Sequence, residues 1–456
     1  MKDVSSKNYA LIVAVLASFL TPFMGSSINV ALPSIANDFV ITAIMLSWIP
    51  AAYLLSLAIF LIPFGRIADI YGRKKIFTYG IIIFTVASLV AAFSTSANML
   101  IILRILQGIG SAMIFGNVAA IISSIFPPTE RGKALGISIT GAFMGLFLGP
   151  VLGGFLTQYL GWRSIFFFDV PIGILATYAV VKLKGEWAEA KGEKFDLTGS
   201  IILALSLIVL MYGLSLLPDL LGFIMIMGGL IGLIIFYFAE KNMESPVLDV
   251  NLFKNLSFTF NNLAALINYN SGVPIVFILS LYLQYVKGLS PQDSGLILSV
   301  QPIMMAVFSP FAGRLSDKFK AEYVAALGMG LTAIGLGGFA LIDMDTSLWF
   351  VAAGLVIIGL GFALFSSPNT NAIMNSVEEK YYGVASATIS SMRVLGQMSG
   401  MGIAMLALAL YLGNVDIVPS NYSSFLSSST ISFLIFSLLS FIGLLFSVLS
   451  LKKINY

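Results

Sequence analysis

The chain contains no cysteine and no histidine. Without cysteine it has no disulfides, iron–sulfur clusters or thiolate metal sites, and without histidine no haem or zinc site can rest on imidazole. The usual general base near neutral pH is also missing, so any proton-linked step must use carboxylates, tyrosine, lysine or water. No metal site and no cofactor are therefore expected.

Charged residues are scarce as well. Only 10% of the 456 residues are charged and 58% are hydrophobic, whereas soluble proteins carry roughly 25% charged residues. The mean hydropathy of +0.98 reflects enough apolar sequence for many bilayer spans of about 20 residues each. The chain is therefore predicted to be an all-α integral membrane protein in a lipid bilayer. Its net charge of only +3 argues against a nucleic-acid partner.

Short polar breaks separate fourteen apolar stretches, which predicts fourteen membrane-spanning helices. They are expected at about 9–33, 43–64, 76–94, 98–125, 135–158, 165–182, 198–217, 220–239, 257–286, 292–312, 322–342, 347–371, 383–411 and 429–451. The first is read as a span rather than a signal peptide, because it lacks a small-residue cleavage site. With the N-terminus in the cytoplasm, most Lys and Arg residues fall in cytoplasmic segments. A multi-pass plasma-membrane protein with both termini in the cytoplasm is predicted.

One charged pattern, G-R-[IL]-[AS]-D, occurs twice, at residues 65–69 after the second predicted helix and at 313–317 after the tenth. If the seventh and eighth helices are set aside, each copy follows the second helix of a six-helix block. The predicted fold is two six-helix bundles, 1–183 and 257–456, with two extra helices within 184–256. Duplicated bundles around a midplane site are the architecture of secondary transporters.

The repeated segments are interpreted as short cytoplasmic turns that form a gate latch. Glycine permits close helix approach, and aspartate can cap a helix start or pair with arginine. A cytoplasmic anchor without mechanism is the alternative, and the symmetric positions favour the latch. The predicted latch residues are Gly65, Arg66, Asp69, Gly72, Arg73, Gly313, Arg314 and Asp317.

The fifth predicted helix is rich in glycine at four-residue spacing. In lipid, small residues let helix backbones approach closely, and a proline removes a backbone hydrogen bond and allows a kink. The glycine-rich face could serve tight helix packing or act as a hinge between the halves as they rock. These two interpretations do not exclude each other. The predicted hinge residues are Gly145, Gly149, Pro150, Gly153 and Gly154.

Two arginines lie inside apolar helices. A central arginine costs about 2.5–3.5 kcal/mol on translocon scales, so Arg104 is expected to face a cavity or a partner. The alternative is that Arg104 snorkels to the outer surface. Arg393 is interpreted as cavity-facing or as a contact for a substrate anion.

Polar residues within the spans predict a substrate cavity. Isolated polar residues in membrane helices often join neighbouring helices, but there are more here than that role needs. The predicted cavity residues are Ser26, Asn29, Gln107, Asn117, Asn268, Gln284, Gln301, Asn369, Arg393 and Gln397. With 36 Phe, 17 Tyr and 19 Met in the chain, such a cavity could hold a small amphipathic substrate.

These motifs resemble the major facilitator superfamily, specifically its fourteen-helix drug/proton antiporter branch. Residues 65–74 are similar to its G-x-[LI]-[AS]-D-x-x-G-R-[RK] loop, and 104–110 to its R-x-x-Q-G-x-G pattern. Residues 136–154 are similar to its antiporter motif, G-x8-G-x3-G-P-x2-G-G. Further likeness lies at 162–173 and 245–253, so the resemblance covers nearly the whole chain.

The resemblance implies alternating access, with protons as the coupling ion and Arg104 taking part in the coupling. Two positions depart from the branch. Met24 occupies the place of an acid on helix 1, and Asp169 stands where the branch usually has Asn. Asp169 could replace the missing acid as a proton carrier tuned by Arg163 or Arg104. Capping of the sixth helix beside Pro171 is equally open for Asp169.

Three functions are compared. Proton-coupled export of amphipathic small molecules is favoured by the antiporter motif. A transporter of anionic metabolites or lipids would use Arg104 and Arg393 as charge partners. A membrane enzyme would need a cluster of His or carboxylates at one membrane face, and the sequence shows none. The prediction is therefore a transporter rather than an enzyme, acting as a monomer.

Overall fold

The computed structural model describes residues 2–188, 190–241, 243, 246, 250–378 and 382–451. The regular elements in these ranges are helical, and fourteen helical segments are long and apolar enough to cross a membrane. The predicted all-α membrane fold with two six-helix bundles and two extra helices is confirmed. Most of the segment 245–249 lies outside the described residues.

The helices fall into an N-half, a linking pair and a C-half. The N-half contains α1 (Lys2–Phe39), α2 (Ala43–Tyr71), α3 (Arg73–Ala91), α4 (Ala97–Phe115), α5 (Val118–Ile125), α6 (Pro128–Leu160) and α7 (Arg163–Lys182). The linking pair is α8 (Leu197–Leu216) and α9 (Leu220–Lys241), followed by a 3-10 turn (Val250–Lys254). The C-half contains α10 (Leu256–Asn270), α11 (Gly272–Leu281), a π turn (Tyr282–Val286), α12 (Pro291–Leu298), α13 (Val300–Lys318), α14 (Ala321–Phe339), α15 (Leu348–Asn375), α16 (Tyr382–Tyr411), a 3-10 turn (Pro419–Asn421) and α17 (Tyr422–Leu449).

Three predicted spans each consist of two helices that meet at a polar residue. The breaks lie at Asn117 between α4 and α5, at Ser271 between α10 and α11, and at Ser299 between α12 and α13. Each of these side chains donates to a backbone carbonyl three or four residues earlier, at 2.8, 3.2 and 2.7 Å. Such bonds compete with the helical ladder, and they accompany the breaks inside these apolar stretches.

The two G-R-[IL]-[AS]-D segments are helical, so the prediction that they are turns is wrong. Residues 65–71 form the end of α2, and 313–317 lie in α13. The buried side chains of Ala68 and Ile70 continue the packed face of α2, which keeps this part of the chain in the helix. The chain reverses only at Gly72, whose φ of 120° favours glycine.

The linking pair lies across the seam, meaning the contact surface between the two halves. The ring of Trp48 on α2 is 6.3 Å from that of Tyr212 on α8. On the other half, Gly402 of α16 packs against Leu214 of α8. Helix α9 packs on α8, and Gly222 allows the two backbones to approach closely. Much of the apolar surface of α9 is exposed. The pair lies at the periphery of the two halves, and α8 touches both of them.

The halves are joined at the predicted outer end, which is the end opposite to Asp69. Thr42 Oγ1 donates to Asn414 Oδ1 at 2.6 Å, and the backbone N–H of Ala43 donates to the carbonyl of Val415 at 3.1 Å. Both bonds cross the seam between the start of α2 and the segment after α16. The structure is therefore closed at this end.

Candidate functional site

A buried polar network surrounds Arg104 in the N-half. This side chain has no exposed surface. Its Nη1 donates to Gln107 Oε1 at 2.8 Å, and its Nε donates to the carbonyl of Ile49 at 3.3 Å. The guanidinium carbon lies 4.3 Å from the centre of the Tyr53 ring. Gln107 continues the network by donating to Ser88 Oγ at 2.8 Å. Arg104 therefore faces partners inside the N-half and does not reach the outer surface.

Asp169 is buried inside the same half. It lies six residues after Arg163, the first residue of α7, so it does not cap that helix. Neither carboxylate oxygen has a hydrogen-bond partner among the described residues. Arg163 pairs with Asp38 at 2.7 Å. A carboxylate buried without hydrogen bonds is costly when charged.

The departures at positions 24 and 169 lie on two helices that contact each other. Phe23 and Phe168, the residues immediately before them, have ring centres 5.0 Å apart. Met24 on α1 is fully buried, as is Asp169 on α7. Asp169 on α7 and Met24, which stands in the place of the missing acid on α1, therefore lie at the same level on adjacent helices.

The glycines of the predicted hinge divide between two contacts. A Cβ on Gly145 would lie 2.5 Å from the carbonyl oxygen of Phe19, and Gly149 and Gly153 pack equally closely against α1. These three positions serve packing within the N-half. By contrast, a Cβ on Gly154 would lie 2.5 Å from the carbonyl oxygen of Pro291 on α12, across the seam.

Pro150 also lies at the seam. A Cβ on Gly295 of α12 would come within 2.1 Å of the Pro150 carbonyl oxygen. The absence of side chains at Gly154 and Gly295 thus lets α6 and α12 close together near the predicted outer end. Of the expected hinge residues, Pro150 and Gly154 therefore form a closed contact between the halves in this conformation.

Substituting Gly295 with alanine is expected to disfavour the closed outer end. Overpacking typically costs 1–3 kcal/mol, enough to shift the conformational equilibrium about 5- to 150-fold. The initial transport rate in proteoliposomes should fall accordingly. Gly136→Ala is the matched control, because a Cβ at Gly136 would meet nothing within 4 Å. Equal rates for Gly295→Ala and Gly136→Ala would remove this contact from the transport cycle.

Several predicted cavity residues serve helix packing. Ser26 Oγ donates to carbonyls of its own helix and, at 3.3 Å, to that of Gly145 on α6. Gln284 Nε2 donates across the seam to the carbonyl of Val30 at 2.9 Å. Asn29 donates within α1 at 2.9 Å, while its buried Oδ1 has no partner. Ser26 and Gln284 therefore join helices in this conformation.

A second polar cluster lies in the C-half, on α10, α15 and α16. Arg393 Nη2 donates to Thr370 Oγ1 at 3.0 Å, and the guanidinium carbon lies 5.2 Å from the centre of the Tyr269 ring. The Tyr269 hydroxyl is 2.8 Å from Ser366 Oγ. These four residues are partly exposed, so the cluster is accessible. We call it the Arg393 cluster.

Other predicted cavity residues carry unpaired polar atoms. Asn268 is fully buried, and neither its Oδ1 nor its Nδ2 has a hydrogen-bond partner among the residues described. Asn369 Oδ1 and Gln301 Oε1 are likewise buried and unpaired. Gln397 is partly exposed, one helical turn after Arg393. Buried polar groups normally have partners, so these amides are candidates for binding a ligand.

The latch residues of the N-half form a charged cluster at the predicted cytoplasmic end. Arg73 Nε donates to Asp69 Oδ1 at 2.7 Å, and Arg66 pairs with Glu193 from the segment before α8. In the C-half, Gly313 and Arg314 lie on α13, where Arg314 is exposed. The side chain of Asp317 lies outside the described residues.

Residues 183–195 bind back onto this cluster. Glu186 Oε1 accepts from the backbone N–H of Lys74 at 2.8 Å, at the start of α3. The Arg73 N–H donates to the carbonyl of Trp187 at 2.8 Å, and the Ala190 N–H donates to that of Asp69 at 3.0 Å. Glu186 and Glu193 were not predicted to belong to this end of the molecule. Their position in a short segment close to basic helix ends could have indicated these contacts.

Comparison with known proteins gives one family. Residues 14–267 and 261–454 each match the model of the Major Facilitator Superfamily. Riboflavin transporter RibZ of Clostridioides difficile (strain 630) is 32% identical over 449 residues, which is 97% of each chain. Multidrug resistance protein 3 of Bacillus subtilis (strain 168) is 30% identical over 367 residues, covering 78% of this chain and 71% of that protein.

Solved structures show a similar fold at low identity. An auto-inhibited POT family peptide transporter has a TM-score of 0.75 and 12% identity, covering 99% of this chain and 97% of its own. A structure described as showing substrate recognition in proton dependent oligopeptide transporters has a TM-score of 0.66 and 15% identity, covering 98% of both chains. Identities this low support the likeness of fold alone.

Proposed function

This chain belongs to the Major Facilitator Superfamily, and from that premise we propose that it exports amphipathic small molecules in exchange for protons. It is a secondary transporter rather than an enzyme. In the proposed cycle the halves, 1–183 and 257–456, rock against each other to give alternating access. Location in the plasma membrane and the orientation with both termini in the cytoplasm remain predictions.

The preferred substrate in this proposal is a neutral heteroaromatic compound with several hydrogen-bonding groups. The observation that carries it is the fully buried Asn268, whose amide is unpaired. A ligand with donors and acceptors would satisfy such an amide. Met24 in place of the helix-1 acid makes a permanent cation a poorer fit. Riboflavin is the first compound to test, since a full-length relative is named as its transporter.

Proton coupling is assigned to the N-half. Asp169 is a fully buried carboxylate with no hydrogen-bond partner in the described part of the chain, and Arg104 is a fully buried cation of the same half. Uptake of a proton by Asp169 would remove the local attraction to Arg104. This change gives two charge states of the N-half, which is what coupling of substrate movement to protons requires.

The test is transport by purified protein in proteoliposomes under an imposed pH gradient. Riboflavin, the cation ethidium and the anion fluorescein are compared, with protein-free liposomes as the control. We expect proton-driven accumulation of riboflavin exceeding that of ethidium by about tenfold or more. Riboflavin transport at a rate independent of the pH gradient would contradict the proposed proton coupling. Absence of riboflavin transport would contradict the proposed substrate.

Multidrug export is the second candidate. Relatives named multidrug resistance proteins are 28–30% identical to this chain. Asp169 supplies a buried carboxylate, and an intramembrane carboxylate can attract organic cations. Proton-driven accumulation of ethidium without riboflavin transport would favour this second function.

A further inference from the structure

We propose that Arg393 binds the oxygen-bearing edge of a planar substrate, so that the C-half selects imide- or carboxylate-bearing rings and rejects organic cations. The inference rests on the proposed function, because it assumes that the substrate enters between the two halves. It adds a specificity-determining residue and a chemical class of recognised group.

The depth of Arg393 makes its charge expensive. It lies eleven residues after Tyr382, the first residue of α16, which is roughly 16 Å along the helix axis. The hydrocarbon core is about 30 Å thick, so this position is near its middle. No ion pair with Asp or Glu is found for Arg393 among the described residues. A charge held in the membrane without a fixed counter-charge marks a functional position.

The neighbours of Arg393 hold its guanidinium but leave donors free. Thr370 Oγ1 donates to the carbonyl of Ser366 at 2.8 Å, so its oxygen is available to accept from Arg393 Nη2. Arg393 Nε is buried and has no hydrogen-bond partner in the ranges that the structure describes. A guanidinium has five N–H donors in a planar fork, and that fork suits paired acceptor oxygens.

Tyr269 supplies a fixed aromatic face beside that fork. Its hydroxyl is paired with Ser366 Oγ at 2.8 Å, and its ring meets Phe362 edge-on with centres 6.0 Å apart. Two contacts therefore set the ring plane. A flat ligand could stack on the aromatic group while its oxygens meet the guanidinium of Arg393. Organic cations would be repelled by the same group.

Arg104 does not offer an equivalent site. It is fully buried, is bonded to Gln107 and Ile49, and lies in the same half as the buried carboxylate of Asp169. Arg393 is partly exposed and lacks such a carboxylate partner in the described part of the chain. The two intramembrane arginines thus divide the work, one for coupling and one for the ligand.

The test compares Arg393→Gln, which removes the charge, with Arg393→Lys, which keeps the charge but loses the fork. Thr370→Val is a milder variant for use if Arg393→Gln does not fold. Lys320→Gln, at an exposed position, is the charge-matched control. Riboflavin and fluorescein binding are measured by fluorescence with detergent-solubilised full-length protein, and transport is measured in proteoliposomes. Monodisperse elution serves as the folding check.

We expect Arg393→Gln to raise the Kd and KM for riboflavin about tenfold or more, with a nearly unchanged kcat. Arg393→Lys should lose part of the affinity and Lys320→Gln none. Binding that depends on Arg393 without transport would support this inference while contradicting the proposed function. Riboflavin transport with wild-type KM in Arg393→Gln would support the proposed function while contradicting this inference. If neither riboflavin nor fluorescein binding depends on Arg393, the inference is wrong.

Discussion

Oxidation of a variant with Thr42→Cys and Asn414→Cys is expected to stop transport, and reduction to restore it. The two side chains meet at 2.6 Å across the seam at the predicted outer end, so their cysteine replacements are close enough to be joined. Alternating access requires this end to open, and a covalent bond between the halves prevents that. We expect less than about a tenth of the wild-type rate while the pair is oxidised.

The composition of the chain makes this a clean experiment. It has no cysteine, so the introduced pair is the only source of disulfides. Each single-cysteine variant, treated with the same oxidant, controls for modification at Thr42 or Asn414 alone. A short bismaleimide provides a second link if disulfide geometry is unfavourable. Full transport by quantitatively cross-linked protein would show that this end does not open.

The second large effect is expected from Asp169→Asn. Asparagine has nearly the same size but cannot gain or lose a proton at neutral pH, so folding should persist while proton coupling is lost. Accumulation of substrate driven by a pH gradient should fall about tenfold or more, to near background. Exchange of labelled for unlabelled substrate should continue, because it needs no net proton movement. Both are measured in the same proteoliposomes.

A matched variant and a rescue sharpen this prediction. Asp219→Asn alters an exposed carboxylate in the connection between α8 and α9 and should behave as wild type. Because positions 24 and 169 lie at the same level on adjacent helices, Met24→Asp added to Asp169→Asn is expected to restore part of the proton-driven accumulation. Unchanged coupling in Asp169→Asn alone would exclude that carboxylate as the proton carrier.

Most of the fold could be predicted because hydropathy and charge position determine which segments enter a bilayer. The fourteen spans and the superfamily are confirmed. The breaks at Asn117, Ser271 and Ser299 were not predicted. A hydropathy window averages apolar character over many residues and does not detect a local interruption of a helix.

The candidate site was only partly accessible to sequence reasoning. An arginine in an apolar helix needs a partner, and Arg104 has several. The aromatic rings of Tyr53 and Tyr269, which lie beside the two arginines, were not predicted. Each pair joins residues on different helices far apart in the sequence, and one sequence does not reveal which helix faces meet.

The binding of residues 183–195 onto the end of α2 and the start of α3 has a mechanical consequence. The chain that leaves the N-half is tied back to it through Glu186, Trp187 and Ala190. The free part of the connection between the halves is therefore shorter than its residue count. Since α8 touches both halves, we expect it to stay in contact with each of them as they move. Relative motion would appear as sliding of Trp48 and Gly402 over α8.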